Sequence, residues 1–70
     1  MVKIKLFGSL RLKTGLKELD ADINRVKDAF PLLAKATGLK EKDFKQCVML
    51  INGKQVKAST MLLDGDELEL

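Results

Sequence analysis

The sequence contains no histidine, tryptophan or tyrosine and only one cysteine among its 70 residues. A lone thiol, Cys47, cannot form an internal disulfide, and without histidine it lacks the companion ligands of a zinc or iron–sulfur site. The missing imidazole also excludes the Ser-His-Asp and Cys-His arrangements, because the general base that they share is absent. We therefore predict a protein without a metal, a cofactor or catalytic residues of its own.

Long apolar runs and one-sided charge are also missing. No run approaches the ~20 apolar residues of a membrane helix, and the opening "MVKIKLFGSL" alternates charged with apolar residues instead of forming a secretory signal. The net charge of +3 would suit a nucleic acid, but lysines and acids are interleaved and only three phenylalanines could stack on bases. We expect a cytoplasmic protein that binds neither nucleic acid nor membrane.

The chain has the size and composition of a single small domain over residues 1–70. It is 46% hydrophobic and 33% charged, which is typical of a globular protein rather than a disordered one. A domain of this length buries only roughly 60% of the surface that its unfolded chain exposes. Its core is therefore small, with little room for a deep catalytic pocket.

Two amphipathic strands are predicted near the N-terminus. Residues 2–6 alternate three apolar side chains with two lysines, and residues 18–23 alternate apolar with acidic side chains. The intervening segment, which holds Thr14 and Gly15, is predicted to be a loop. The two strands are expected to form an antiparallel hairpin.

The next segment, "NRVKDAFPLLAKATG", predicts one amphipathic helix. We expect Asn24 to cap its first turn and Gly38 to end it in a left-handed conformation. Its apolar stripe follows helical spacing and comprises Val26, Ala29, Phe30, Leu33 and Thr37. Pro31 would break the interior of a helix that begins at Arg25, so either the helix kinks there or its regular part starts near Asp28.

Three further strands are predicted in the second half of the chain. "KEKDFKQ" is compatible with a short turn of helix, and the apolar run "CVMLI" then ends in an Asn-Gly turn into "KQVK". Asp64 and Gly65 turn the chain into the last strand, "DELEL". This ββαββ order, with one main helix across a mixed sheet of about five strands, predicts an α+β protein with the β-grasp, or ubiquitin-like, architecture.

The run from Cys47 to Ile51 carries the first functional inference. It is apolar at every position, and this pattern is typical of a strand that is buried on both faces. A single helix covers only one face of a small sheet, so the apolar side chains on the opposite face need another group to shield them from water. Either the loop 39–46 or Phe44 folds over the other face, or a few scattered exposed leucines there need no explanation, or that face is an apolar patch that binds another protein. We predict a binding patch, with this strand in the middle of the sheet.

Three stretches, in order and at matching separations, resemble parts of one known family. "KIKLFGSLRLKTG" resembles its opening strand and the residues that follow, with matches at Phe7, Leu10, Arg11 and Gly15. "LINGKQV" is similar to its strand, Asn-Gly turn and strand, and "LLDGDELEL" to its acidic turn and last strand. The resemblance covers residues 2–70 and is to the small sulfur-carrier proteins, above all the molybdopterin synthase small subunit and more distantly the thiamine sulfur carrier.

The resemblance implies a function for the end of the chain. In this family the last strand runs into a flexible Gly-Gly tail of about seven residues, which at ~3.3 Å per residue reaches roughly 23 Å from the domain. A ubiquitin-activating-type adenylyltransferase adenylates the tail carboxylate, sulfur converts it to a thiocarboxylate, and the molybdopterin synthase large subunit takes the sulfur. The sequence stops at Leu70. Either a tail follows Leu70 in the native protein, or the domain is a tailless ubiquitin-like binding module without covalent chemistry.

The resemblance and the strand pattern together indicate the partner-binding residues, which are Phe7, Arg11, Val48, Leu50 and Glu69, with Leu70 as the point where a tail would leave. The stretch "LINGKQV" is also similar to the "GKQL" stretch of ubiquitin, and this resemblance implies that Leu50 points away from the helix, with Val48 beside it and Glu69 on a neighbouring strand. Phe7 either contacts a partner or is buried in the core. Arg11 either pairs with a partner carboxylate or caps the loop.

Other apolar positions receive structural interpretations. Met49, Val56 and Leu68 are expected to face the helix as part of the core. Cys47 is interpreted as a small buried hydrophobe rather than a reactive thiol, because no histidine flanks it to lower its pKa.

Overall fold

The computed structural model describes residues 1–70 and contains five strands and three α-helices. They are β1 (Val2–Lys5), α1 (Gly8–Thr14), β2 (Glu18–Ala21), α2 (Ala29–Thr37), α3 (Glu41–Lys45), β3 (Met49–Ile51), β4 (Lys54–Val56) and β5 (Glu67–Glu69). The strands form one sheet in the order β2-β1-β5-β3-β4. Only β1 and β5 pair in parallel, and the other three pairs are antiparallel. The predicted mixed β-grasp sheet is confirmed.

The strand order corrects one expectation. The middle strand is β5, and the apolar strand β3 lies between β5 and the edge strand β4. Only Met49–Ile51 of the predicted run is strand. Phe44 is fully buried in the same cluster as the core residues of β1 and β5, so it does not cover the opposite face of β3.

Helix α1 occupies the segment that was predicted to be a loop. Gly8, at φ 56°, lets the chain turn into a helix directly after β1 because a residue without Cβ tolerates this conformation. The helix ends at Gly15, which is also left-handed at φ 71°. Leu10 is its only buried side chain, and Leu12 is 86% exposed. Without an apolar stripe the helix leaves no periodic signal, which is why the pattern pointed to a loop.

The main helix starts later than the apolar stripe. A 3-10 turn at Val26–Asp28 precedes α2, so Pro31 falls in the first turn of the α-helix, where backbone N–H groups have no intrahelical acceptor. The regular helix therefore begins close to Asp28, and a kink is not needed. The cap expected at Asn24 is wrong, because Arg25 occupies the N-cap position before Val26, and its N–H donates to the Asp28 carboxylate at 3.0 Å. Gly38 ends the helix at φ 79°, as predicted.

The core lies between the sheet and the helices. It is one cluster of buried residues, namely Val2, Ile4, Leu6, Leu10, Ala21, Val26, Ala29, Phe30, Leu33, Phe44, Leu62, Leu68 and Leu70. Met49 and Val56 are half-buried and pack against this cluster, so these two and Leu68 face the helices as expected. None of the helices has the length and hydropathy needed to cross a membrane.

We predict that Phe44→Ala destabilises the protein by about 3–5 kcal/mol, because it removes a fully buried ring and leaves a cavity. This is a large part of the roughly 4–10 kcal/mol expected for a chain of this size. Urea denaturation followed by circular dichroism measures the loss. The matched control is Phe7→Ala, where half of the side chain is exposed, and it should cost less than about 1 kcal/mol. Equal losses in the two variants would contradict the assignment of Phe44 to the core.

Candidate functional site

One face of the sheet carries no helix, and we call it the open face. Strand alternation sends Lys3 and Lys5 of β1 to this face while Val2 and Ile4 enter the core. On β3, the half-buried Leu50 points to the open face, because its neighbours Met49 and Ile51 pack against the core and Leu50 does not. The orientation expected for Leu50 and Met49 therefore agrees with the structure.

A shallow groove of about 480 Å³ lies where the open face meets the end of the chain, and we call it the C-terminal groove. It is lined by Phe7, Gly8, Ser9, Val48, Leu50, Glu69 and Leu70. Two of its apolar side chains are strongly exposed, Phe7 at 50% and Val48 at 60%. Phe7 is thus not buried in the core, and Val48 and Leu50 are not packed inside the domain.

Backbone hydrogen bonds hold Leu70 at this groove. The Leu70 N–H donates to the Lys5 carbonyl at 2.9 Å, and the Leu70 carbonyl accepts from the Phe7 N–H at 3.0 Å. These bonds continue the parallel ladder between β1 and β5 beyond Glu69. The side chain of Leu70 is buried at 7% exposure. The last residue of the chain is therefore fixed beside Phe7.

The structure brings together five of the six residues indicated by the sequence, and it separates the sixth. Arg11 lies in α1 and lines a neighbouring depression with Lys5, Leu6, Phe7, Lys17 and Glu18. Sequence reasoning missed Gly8 and Ser9, which line the groove because α1 starts directly after Phe7. A glycine immediately after a strand was the available signal for that turn.

The open face is acidic although the chain as a whole has a net charge of +3. Two lysines and four carboxylates give this face a formal charge of −2, and they are Lys3, Lys5, Glu18, Asp20, Glu67 and Glu69. Two ion pairs form, Lys3–Glu18 at 3.6 Å and Lys5–Glu67 at 3.4 Å. The carboxylates of Asp20 and Glu69 form none. The C-terminal groove is therefore apolar with an acidic edge.

Other parts of the surface lack a comparable constellation. A depression of about 520 Å³ on the helical side is slightly larger, but its rim mixes Lys27 and Lys45 with Asp28 and Glu41. No group of three or more carboxylate or thiol side chains converges so as to hold a metal ion. Size alone would favour this depression as the candidate functional site. The exposed apolar side chains and the nearby Leu70 favour the C-terminal groove instead.

The lone cysteine is half-buried and hydrogen-bonded. The Cys47 thiol donates to the backbone carbonyl of Asp43 at 3.4 Å, and the residue packs against the core. Burial raises the pKa of the Cys47 thiol, the Lys13 ammonium opposes this rise, and the Asp43 carboxylate adds to it. A raised pKa disfavours the thiolate at neutral pH, which agrees with a packing role.

The sequence model of the ThiS family matches residues 4–70 of this chain. The chain belongs to the ThiS family. Its mixed five-stranded sheet thus has the ubiquitin-like β-grasp fold of the sulfur carriers. Members of this family are small carrier proteins or subunits. No curated protein matches the sequence of this chain.

Several solved structures share the fold over nearly the whole chain. A protein described as molybdopterin converting factor subunit 1 from Pyrococcus furiosus is 25% identical with a TM-score of 0.73, and the match covers 97% of this chain and 91% of that one. Small archaeal modifier protein 1 from Haloferax volcanii is 25% identical with a TM-score of 0.75, again covering 97% and 91%.

A third similar structure contains two different proteins. It is the protein–protein complex of subunits 1 and 2 of the molybdopterin-converting factor from Helicobacter pylori, in which the matching chain is 26% identical. The TM-score is 0.73, and the match covers 99% of this chain and 88% of that one.

We predict that Cys47 in the folded protein reacts with iodoacetamide more slowly than the same thiol in the urea-unfolded protein at neutral pH. The reason is that burial raises its pKa and so lowers the thiolate fraction in the folded state. Mass spectrometry of timed, quenched samples gives both rates, and free cysteine in the same urea solution controls for reagent effects. Equal rates in the folded and unfolded protein would contradict the packing role.

Proposed function

We propose that this ThiS-family protein is a sulfur carrier of the molybdopterin synthase small-subunit type. In this proposal, a Gly-Gly tail follows Leu70, and partner enzymes adenylate and thiocarboxylate its end. The supporting observation is that two backbone hydrogen bonds hold Leu70 beside the exposed apolar side chains of the C-terminal groove. A partner that docks on this groove is positioned at the point where the tail leaves the domain.

The mechanism divides the work between a rigid domain and a mobile end. Because the backbone of Leu70 is hydrogen-bonded to Lys5 and Phe7, its own carbonyl carbon lies in the sheet and cannot enter a distant active site. A tail of about seven residues would extend roughly 23 Å beyond it. Glycines at its end lack Cβ atoms and can pass through a narrow channel in an extended conformation. Docking on the groove thus provides the binding affinity, and the tail extends its end to the active site of the partner.

The proposed partners are a ubiquitin-activating-type adenylyltransferase and a molybdopterin synthase large subunit. The complex of subunits 1 and 2 from Helicobacter pylori supports a large subunit as the second partner. Phe7, Val48 and Leu50 would supply the apolar centre of the interface, where most binding energy is usually concentrated. Arg11 would lie at the rim, on the far side of Phe7. The acidic open face would orient a partner with a basic surface.

We predict that the native protein, isolated intact from its own source, has a mass that includes residues beyond Leu70 ending in two glycines. A second species should be heavier by the mass difference between sulfur and oxygen, because a thiocarboxylate replaces one carboxylate oxygen. Intact mass spectrometry, with fragmentation of the C-terminus, measures both. A native product that ends at Leu70 would contradict the carrier proposal and favour a tailless binding module.

We predict that Leu50→Asp weakens binding to the adenylyltransferase by about 2 kcal/mol or more, because it places a charge in the apolar centre of the groove. Isothermal titration calorimetry measures the affinity. Since Leu50 lies outside the core cluster, the variant should remain folded, and its free energy of unfolding should fall by about 1–2 kcal/mol because the new carboxylate faces Glu69 of β5.

The matched control is Leu63→Asp, which makes the same replacement at a leucine that is 71% exposed and lies outside the C-terminal groove. This variant should bind as the unaltered protein does. If both variants bind normally, docking does not involve the groove. If both lose binding, the loss is not specific to it.

A further inference from the structure

We propose that the C-terminal groove contains a subsite for an arginine side chain of the docking partner, formed by the Phe7 ring and the Glu69 carboxylate. This inference rests on the proposed docking function and names the chemistry of the partner residue. Its basis is the combination, in one groove, of an exposed aromatic ring and a carboxylate with no ion-pair partner.

Glu69 lacks a cation although lysines are close. The Cα register pairs Glu69 with Lys5 of β1, but the Lys5 ammonium lies 3.4 Å from the Glu67 carboxylate instead. The other lysine of the open face, Lys3, pairs with Glu18 at 3.6 Å. On its other side Glu69 faces Leu50 of β3, which offers no charge. The Glu69 carboxylate is therefore available to a cation from outside.

The surroundings of Glu69 strengthen the ion pair that such a cation would form with it. Glu69 is half-buried and shares the groove with Val48, Leu50 and Phe7. A carboxylate against apolar walls is less hydrated than one in open solvent, so pairing costs less desolvation and is screened less. The surplus of two negative charges on the open face further favours a positive side chain.

Phe7 determines which cation fits best. Half of its side chain is exposed, and its ring can accept a cation on its face. A guanidinium is planar and weakly hydrated, so it can stack on the ring and direct its N–H fork at a carboxylate at the same time. An ammonium offers a compact charge with strongly bound water and no flat surface. The aliphatic stem of an arginine would also lie against Val48 and Leu50.

The subsite can be tested without a protein partner. The probe is N-acetyl-arginine amide, titrated into ¹⁵N-labelled protein and followed by NMR, with N-acetyl-lysine amide as the comparison. We expect saturable shifts at Phe7, Leu50 and Glu69, and weaker binding of the lysine probe. Glu69→Gln should weaken arginine binding by about fivefold, the typical contribution of one partly exposed ion pair. Phe7→Leu should keep the apolar wall but abolish the preference for arginine.

The matched control is Asp20→Asn, which removes an equally unpaired carboxylate from the open face at a site outside the groove. It changes the net charge by the same amount and should weaken arginine binding far less than Glu69→Gln does. Unperturbed spectra elsewhere establish that each variant is folded. Equal effects of Glu69→Gln and Asp20→Asn, equal binding of the two probes, or shifts outside the groove would overturn the subsite.

Binding of the adenylyltransferase separates this inference from the proposed function. If the enzyme binds the unaltered protein, but Glu69→Gln weakens that binding no more than Asp20→Asn does, the subsite is wrong and the docking function stands. If N-acetyl-arginine amide binds as expected while the enzyme does not bind, the subsite stands and the proposed carrier function fails.

Discussion

The position of β5, paired with β1 on one side and β3 on the other, constrains almost everything else in this structure. This pairing sets the alternation that buries Leu68 and directs Glu67 and Glu69 to the open face. A shift of register by one residue would reverse these faces, so the buried Leu68 strongly fixes the alignment. The same alignment carries the chain end to Phe7.

The charges on the open face matter more for recognition than for stability. Its two ion pairs join side chains that are at least one-third exposed, and such pairs contribute on the order of 1 kcal/mol or less. Their more important effect is to occupy both lysines of the face. Because those lysines are engaged by Glu18 and Glu67, the carboxylate that borders the apolar groove is left without a partner. A pattern of alternating charges along three strands thereby leaves an uncompensated negative charge at the edge of the C-terminal groove.

The sequence predicted those parts of the fold that have local signals. Alternating polarity marked the strands, and the Asn-Gly pair marked the β3–β4 turn, where Asn52 and Gly53 both have positive φ. Strand order has no such signal, since the last strand reaches the middle of the sheet only through pairing with distant β1. That is why β3 was wrongly expected in the middle. Helix α1 was missed because one buried leucine makes no periodic stripe.

The candidate site was anticipated to a similar degree and for similar reasons. The outward orientation of Leu50 came from the resemblance of its strand to ubiquitin, because the uniformly apolar run 47–51 does not itself distinguish the two faces. The match of Phe7 to the sulfur carriers pointed to the same region. Whether Arg11 belongs there depends on the orientation of α1, which the sequence pattern did not reveal. Glu69 is unpaired because Lys5 forms its ion pair with Glu67 and not with Glu69. Such a choice between two neighbours is made by side-chain geometry rather than by spacing along the chain.

The parallel pairing of the first and last strands also has a mechanical consequence. A pull on the chain end along the direction of β5 loads the hydrogen bonds to β1 and β3 in shear, so several bonds share the force and must yield together. A zipper-like geometry would instead expose them to the force one at a time. An enzyme that holds an extended segment beyond Leu70 would therefore move the folded domain as a whole instead of unfolding it from its C-terminal strand.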